Sequence, residues 1–182
     1  METTKTHPVP AGHPAEAGIE RGRAVWTVSP LLILLLILGG FRSLQRAEAQ
    51  TLRWTSFENL NDSLRKERRP LLVFIHTDWC KYCKMMEVKT FTDSSLVQTL
   101  NQHFYCLDLN AEQTKTLPFL NRKYRFKPSG VGTGLHELAE ILGTEKGRLT
   151  YPTTVFFNQN LQLEARVLGV LNPQQIQNLI MK

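Results

Sequence analysis

The hydrophobic and polar positions of the chain change their spacing along its length, and each spacing predicts a different element. Residues 71–75 form a short, continuous apolar run, which is typical of a central strand buried on both faces. Apolar residues three and four positions apart predict a helix over residues 57–69, and further helices are expected over residues 80–91 and 94–103. A second strand is expected over residues 104–109. The alternation of strands and helices predicts an α/β fold.

The C-terminal part of the chain shows a strand pattern that repeats across a polar turn. Residues 153–157 and 161–170 are the two strands of a predicted β-hairpin, with residues 158–160 between them. Asn172 is the expected N-cap of a final helix, and Pro173 is suited to its first position.

A longer connection, at about residues 112–148, separates the second strand from this hairpin. We interpret it as an insertion that forms a loop or small hairpin and then a helix over residues 135–142. It carries five basic residues, Lys115, Arg122, Lys123, Arg125 and Lys127. The insertion either shapes the choice of partner, as loops on rigid scaffolds often do, or is a solvated excursion.

The N-terminal part of the chain changes composition sharply. Residues 1–23 have no apolar periodicity and predict a disordered tail, whereas residues 24–41 carry no charge and are long enough to span a membrane. The segment is either an uncleaved signal anchor or a signal peptide cut after Ala49. Residues 42–52 then form a linker to a domain at 53–182. If the N-terminus stays inside, both interpretations predict an extracytoplasmic domain, and the bacterial periplasm is the expected compartment.

The composition permits one ordinary domain and excludes few functions. The formal charge is +6, and from Gln50 onward 17 Lys and Arg face 12 Asp and Glu. These basic residues are scattered over short segments, without the interleaved aromatic residues that single-strand binders use. We therefore expect a solvated basic surface, no nucleic-acid partner and a monomer.

The sequence Cys80-Lys81-Tyr82-Cys83 carries the candidate chemistry. It follows an apolar strand and opens a predicted helix, so that free backbone amides and the helix dipole favour a thiolate at Cys80. Cys83 lies one turn further on, within reach of a disulfide with Cys80. Such a pair can attack a substrate disulfide and then resolve the mixed disulfide.

Other uses of two cysteines at this spacing remain open. A structural zinc site needs four ligands, and the chain has no second pair; attachment of a c-type haem needs histidine at Lys84. A structural disulfide would close too small a loop to add much stability. A metal-handling module that uses Cys80 and Cys83 as ligands is the alternative from a different class. We expect no cofactor and no metal.

Several strings resemble the thioredoxin superfamily, and in particular the C-terminal periplasmic domains of the DsbD family and small exported thioredoxin-like proteins. They are Asp78 to Lys84, Glu87, Thr90-Phe91 and Tyr151-Pro152-Thr153. The resemblance implies a thioredoxin fold, with a central mixed sheet of four to five strands flanked by helices. It also implies a thiol:disulfide oxidoreductase that acts on protein thiols and disulfides and is served by an upstream redox partner.

The resemblance assigns roles to further residues. It implies a cis Tyr151–Pro152 bond in a loop that faces the active disulfide, and a substrate-binding surface made by Trp79, Lys81, Tyr82, Tyr151 and Pro152. Whether the protein acts as a reductase or as an oxidase or isomerase depends on its reduction potential, and the sequence leaves this open.

The sequence departs from the superfamily in its proton-handling residues. Thioredoxin has a buried aspartate in the strand before the motif and a lysine on the neighbouring strand; alignment from Cys80 puts Phe74 and Cys106 in those places. Glu87 is the candidate catalytic carboxylate that tunes or deprotonates Cys83. The alternative, to which we give equal weight, is that Glu87 is only a surface residue with lysine neighbours.

Three further residues have candidate chemistry but simpler interpretations. We expect Cys106 to be a buried strand thiol rather than a third redox partner. His76, at a strand end, and His136, in a predicted helix, are expected to be structural.

Overall fold

A computed structural model of the protein describes residues 50–181. The strands are β1 (Leu71–His76), β2 (Tyr105–Asn110), β3 (Leu117–Phe119), β4 (Arg122–Tyr124), β5 (Phe126–Gly130), β6 (Thr133–His136), β7 (Thr153–Phe157) and β8 (Leu163–Leu168). The helices are α1 (Phe57–Lys66), α2 (Lys81–Met85), α3 (Ser94–His103), α4 (Glu137–Gly143) and α5 (Pro173–Ile180). A π-helical turn, Met86–Thr90, directly follows α2.

Four strands form a mixed sheet in the order β2–β1–β7–β8. β1 is parallel to β2 and antiparallel to β7, which in turn pairs antiparallel with β8. All residues of β1 and β7 are buried, in keeping with their position at the centre of the sheet. The predicted mixed sheet flanked by helices is therefore confirmed, with four strands.

The side chains of β1 alternate between two hydrophobic clusters, one on each face of the sheet. Leu71, Val73 and Ile75 pack with residues of α1 and α4. Leu72 and Phe74 point to the other face and pack with residues of α2, α3 and α5. Because side chains of a strand alternate with a period of two, the continuous apolar run of β1 supplies both clusters.

Two predicted helices end or change earlier than expected. The first was expected over residues 57–69, but α1 ends at Lys66, because Glu67 is extended and accepts a 2.6 Å bond from Arg69 Nη2. The second was expected to run from 80 to 91 as one α-helix. Instead, Cys80 is the N-cap and the helix widens into the π-helical turn, in which Phe91 N donates to Met86 O.

The insertion contains one more hairpin than predicted. β3 and β4 form a hairpin whose turn residues, Leu120 and Asn121, have positive φ angles of 46° and 66°. The second hairpin, β5 and β6, occupies the expected place. The helix was predicted over 135–142, but Leu135 and His136 belong to β6 and α4 begins after them, because both residues pair with β5.

The C-terminal hairpin and final helix form as predicted, with shifted boundaries. The strand expected over 161–170 is β8, which starts later because Asn158 Oδ1 accepts bonds from Asn160 N and Gln162 N and extends the turn. Asn172 caps α5 in a capping box with Gln175. The strand expected over 104–109 begins one residue later, since Phe104 N still donates to Leu100 O.

The predicted tail (1–23) and apolar segment (24–41) lie outside the described residues, as does most of the linker (42–52). Within residues 50–181, no helix combines the length and the apolar character that a membrane span needs.

Candidate active site

The end of β1 leads directly into the cysteine pair. Cys80 and Cys83 are joined by a disulfide, with 5.2 Å between their Cα atoms. Cys80 is the N-cap of α2, and its Sγ accepts a 3.1 Å hydrogen bond from Cys83 N. A donor aimed at this sulfur would stabilise the Cys80 thiolate in the reduced protein.

The two cysteines differ in their exposure to solvent. Cys80 is 5% exposed, whereas Cys83 is completely buried. An incoming disulfide therefore reaches Cys80 first, and Cys83 can act only from within the protein. This asymmetry fits an attacking thiol and a resolving thiol.

Large side chains surround the exposed edge of Cys80. Trp79 and Tyr82 are each 65% exposed, which is unusual for aromatic residues of a folded domain. Lys81 is also exposed on the first turn of α2. All three of these predicted substrate-binding residues are therefore solvent-exposed next to Cys80 in the sequence.

Trp79 is held in place from two sides. Its Nε1 donates to both carboxylate oxygens of Glu112, at 3.0 and 3.1 Å, and its ring meets the ring of Tyr151 edge to face at 5.9 Å. Tyr151 precedes Pro152 through a cis peptide bond, at the start of β7. Because Ile75 pairs with Thr153, this loop lies at the end of β1 where the motif begins.

Glu112 is a site residue that the sequence interpretation missed. It stands two residues after β2, which runs parallel to β1, so the two strands end at the same edge of the sheet. A polar residue just beyond the end of β2 was therefore the available signal. Tyr151, in turn, is half-buried, and burial raises the pKa of its phenol.

Glu87 is the predicted carboxylate of the site. Its Oε2 accepts a 2.8 Å bond from Lys84 Nζ, and its side chain is 30% exposed. The lysine neighbour and the partial exposure both agree with the interpretation of Glu87 as a surface residue. Glu87 also acts on the site, however, because its charge raises the pKa of His76.

The strand register shows which residues lie beside Phe74 and Cys106 in the sheet. Phe74 is fully buried and packs against the rings of Trp54, His76 and Phe91. The residue across from it on β2 is Asp108, and Cys106 faces Leu72 instead. The expectation that Cys106 stands in the place of the superfamily's lysine stays a prediction.

Cys106 is a buried thiol, as predicted. It belongs to the same buried cluster as Cys80 and Cys83, and burial raises its pKa to about 12. Cys106 is free, whereas the other two cysteines are joined.

His76 lies at the end of β1 with its side chain only 8% exposed. Its Nε2 is 2.9 Å from Asp108 Oδ1, but the N–H direction is too bent for a hydrogen bond, so the contact is one of charge. Burial lowers the pKa of His76, but the contact with Asp108 and the charge of Glu87 outweigh burial. The pKa is raised overall.

His136 has the structural role that was predicted. Its Nδ1 accepts a 3.2 Å bond from Leu138 N as the N-cap of α4, and its Nε2 lies 3.0 Å from Lys115 O. Since a carbonyl only accepts, the proton is on Nε2 and the ring is neutral. Burial lowers the pKa of His136, in agreement with a neutral ring.

The residues that could bind a metal are dispersed. Within residues 50–181, no three side chains of His, Cys, Asp or Glu come together in a group that could hold a metal ion.

Comparison with known proteins places this geometry in a family. A family model described as a thioredoxin-like domain matches residues 57–182. The structure is similar to the oxidoreductase DsbH, at 17% identity and a TM-score of 0.51, over 76% of this chain and 90% of that chain. Because DsbH is distant in sequence, this likeness shows the thioredoxin fold alone.

Two further structures are similar over most of the described domain. The C-terminal domain of Neisseria meningitidis DsbD, in its reduced form, matches at 16% identity and a TM-score of 0.43, over 68% of this chain and 90% of that chain. A thioredoxin from Thermus thermophilus matches at 19% identity and a TM-score of 0.49, over 72% and 87%. Since the family model covers well over half of the sequence and the Cys-X-X-Cys disulfide is in place, the chain belongs to the thioredoxin-like domain family of thiol–disulfide oxidoreductases.

Proposed function

We propose that the protein reduces or exchanges disulfides in extracytoplasmic proteins through the Cys80–Cys83 dithiol. The observation that carries the proposal is the asymmetry of the pair: Cys80 keeps a small exposed area, 5%, at the start of α2, and Cys83 has none. A purely structural disulfide needs no such difference. The large exposed side chains around Cys80 add a surface to which a substrate can bind.

The reaction is an exchange of two electrons. The Cys80 thiolate attacks one sulfur of a substrate disulfide, and the other substrate sulfur leaves as a thiolate. The Cys83 thiol then loses its proton and attacks Cys80 Sγ. This step breaks the mixed disulfide, releases the second substrate thiol and forms the Cys80–Cys83 disulfide. An upstream protein dithiol reduces this disulfide and closes the cycle.

The substrate is an extended protein segment. Trp79, Lys81 and Tyr82 contact it on the side of α2, and Tyr151 and Pro152 contact it on the side of β7. The contact between the rings of Trp79 and Tyr151 supports this assignment, because it joins the two sides into one continuous wall. Extended segments commonly bind with backbone hydrogen bonds and side-chain pockets of this kind.

The direction of electron flow follows from the reduction potential of the Cys80/Cys83 couple. A potential near that of thioredoxin, about −270 mV, supports a reductase, whereas one near about −120 mV supports an oxidase. Equilibration of the protein with glutathione redox buffers gives this value. We favour the reductase direction because the Cys83 N–H donor stabilises the reduced, thiolate form.

The domain works outside the cytoplasm, either anchored by residues 24–41 or released after cleavage behind Ala49. The charge-free composition of residues 24–41 supports export. Cell fractionation with the full chain tests this: the domain should be accessible to protease without lysis of the cytoplasmic membrane. Protection of the domain until lysis would contradict it.

Substitution of each cysteine tests the chemistry. With the full chain, a disulfide-bonded protein substrate and a dithiol reductant, Cys80→Ser should reduce turnover to the uncatalysed rate. Cys83→Ser should accumulate mixed disulfides with the substrate, visible by mass spectrometry. Cys106→Ala is the matched control and should keep the rate within about twofold, since its thiol is buried and protonated. If Cys80→Ser and Cys83→Ser both keep wild-type turnover, the proposal is wrong.

A further inference from the structure

The proposed cycle needs a group that accepts the proton of the Cys83 thiol. Cys83 is fully buried, so that bulk water does not reach it directly. Phe74, which occupies the place of the superfamily's buried aspartate, cannot accept a proton. The fold must therefore supply an acceptor from another position, and the buried titratable groups near the cysteines are the candidates.

His76 is placed on the correct face of the sheet. It lies two residues beyond Phe74 on β1, and the rings of Phe74 and His76 stack at 5.4 Å. Phe74 in turn belongs to the buried cluster that contains Cys80 and Cys83. The imidazole thus lies along the same surface of the sheet as the disulfide, at the strand end that leads into the motif.

One nitrogen of His76 is available as a base. The carboxylate charge of Asp108, whose Oδ1 lies 2.9 Å from Nε2, favours the ring proton on that nitrogen and leaves the lone pair on Nδ1. Within residues 50–181, neither buried ring nitrogen of His76 has a hydrogen-bond partner, and Nδ1 is the one that does not face Asp108. A buried polar atom without a partner costs stability and calls for an explanation, and proton transfer supplies one.

Three charged groups from the neighbouring elements act on the imidazole. Asp108 on β2 and Glu87 in the π-helical turn favour the protonated ring, and Lys84 on α2 opposes it. Two carboxylates against one ammonium group leave an environment that stabilises an imidazolium. Their combined effect exceeds that of burial, and the pKa of His76 is raised from its ordinary value. The ring can therefore take up a proton in the neutral pH range.

We infer that His76, oriented by Asp108, accepts the proton that the Cys83 thiol loses when the mixed disulfide is resolved. This inference rests on the proposed function. Asp108 and His76 then have the roles of the orienting carboxylate and the base in a hydrolase triad, with a thiol in place of the serine hydroxyl.

The proton that Cys83 loses in this step ends on the leaving thiol. Neutral His76 takes the proton from Cys83 at Nδ1, and the Cys83 thiolate attacks Cys80 Sγ. The bond between Cys80 and the substrate sulfur breaks, and that sulfur leaves with the electron pair. The imidazolium returns the proton to the leaving thiolate. No further oxidant or reductant is involved.

The test isolates the resolving step. The full chain is converted to a mixed disulfide between Cys80 and a chromogenic aryl thiol, and release of that thiol reports the attack by Cys83. In the wild-type protein, the rate should rise with pH and level off above the pKa of His76. In His76→Gln, which keeps an amide donor towards Asp108, the rate at neutral pH should fall about 100-fold and should follow ionisation of the thiol itself.

Two further variants separate this role from a structural one. Asp108→Asn removes a carboxylate that raises the pKa of His76, so the midpoint of the pH–rate profile should move to lower pH. His136→Gln alters a histidine away from the cysteines, and it should leave the midpoint unchanged. If His76→Gln fails to fold, the midpoint of Asp108→Asn still decides the question.

The outcomes distinguish the inference from the proposed function. If the mixed disulfide forms and resolves in His76→Gln and Asp108→Asn with the wild-type pH profile, the role of His76 is wrong and the proposed cycle stands. If Cys80 forms no mixed disulfide in the wild-type protein, the proposed function itself is wrong.

Discussion

The end of β1 and the start of α4 each bury one histidine, and the two rings are supported in different ways. His136 contacts the backbone through both nitrogens, at Leu138 N and Lys115 O. In the described part of the chain, His76 makes no hydrogen bond at either nitrogen, and Nε2 faces the carboxylate of Asp108. The first ring fixes the helix of the insertion, and the second keeps a lone pair on the face that carries the cysteines.

Burial alone does not explain why the pKa values of the two histidines shift in opposite directions. Burial lowers the pKa of both histidines, but only His76 has carboxylates close enough to reverse the direction. The two residues are therefore distinguished by their partners, and not by how far they are from solvent. In general, a buried histidine with two backbone partners is structural, whereas one with a carboxylate and an unused nitrogen is a candidate for proton transfer.

The largest expected effect is on stability. His136→Ala removes the N-cap of α4 and leaves Leu138 N and Lys115 O without partners, which should lower the free energy of unfolding by about 3 kcal/mol. His76→Ala should cost less, about 1–2 kcal/mol, because no hydrogen bond is lost. Urea denaturation measures both. His136→Asn, which keeps a capping oxygen, should recover part of the loss. A larger cost at His76 than at His136 would reverse the comparison.

The insertion reaches the site at Glu112, and its loss should affect binding. Glu112→Ala frees the Trp79 indole, so KM for a disulfide substrate should rise about fivefold with little change in kcat, as expected for one hydrogen bond of about 1 kcal/mol. Glu112→Gln keeps an acceptor and should show a smaller rise. Steady-state kinetics measures both variants. A fall in kcat at constant KM would mean that Glu112 acts on the reacting sulfurs instead.

The pH dependence of stability should have opposite signs for the two histidines. The pKa of His76 is raised in the folded protein, so its contribution is present below the ordinary histidine pKa and is lost as pH rises through the folded value. The pKa of His136 is lowered, so its contribution is present above the ordinary value and is lost as pH falls through the folded value.

Unfolding free energies at about pH 5 and about pH 8.5 test both signs. The difference between wild type and His76→Gln should shrink with rising pH, and that between wild type and His136→Gln should grow. Because Asp108 is 45% exposed, the change at His76 should stay below about 1 kcal/mol. If both differences in unfolding free energy changed in the same direction with pH, the pKa values of the two rings would not be shifted in opposite directions.

The smallest effects should come from the ion pair on the helix. Glu87→Gln removes a carboxylate that raises the pKa of His76, and Lys84→Gln removes a cation that lowers it. The midpoint of the resolving step should therefore move to lower pH in the first variant and to higher pH in the second, with rate changes of about threefold or less at neutral pH. Both variants break the same ion pair and so control for each other. If the midpoint moved in the same direction in both variants, the charges of Glu87 and Lys84 would not be acting on the pKa of His76.

Local patterns were enough to predict the elements that support the site. The apolar run of β1, the Cys-X-X-Cys spacing and the cap at Asn172 each depend on a few neighbouring residues. By contrast, β3 is three residues long and contains Pro118, and the turn at Leu120 and Asn121 adopts positive φ without glycine. Such a hairpin has no pattern strong enough to predict. The π-helical turn is hidden for another reason, since the same residues suit an α-helix.

The missed site residues depend on strand register. Trp79 meets Glu112 and His76 meets Asp108 only because β1 and β2 run parallel and end at one edge of the sheet. Asp108 is the charged residue of β2, but a sequence alone does not say what lies across from it.

The burial of Cys106 also limits which cysteines can form a disulfide. Three cysteines allow three pairings, and all three sulfurs belong to one cluster. Because burial raises the pKa of Cys106 to about 12, its thiol stays protonated at neutral pH, and its exchange with the Cys80–Cys83 disulfide is slowed accordingly. The apolar surroundings of this thiol thus allow a third sulfur to lie within the cluster without taking part in disulfide exchange.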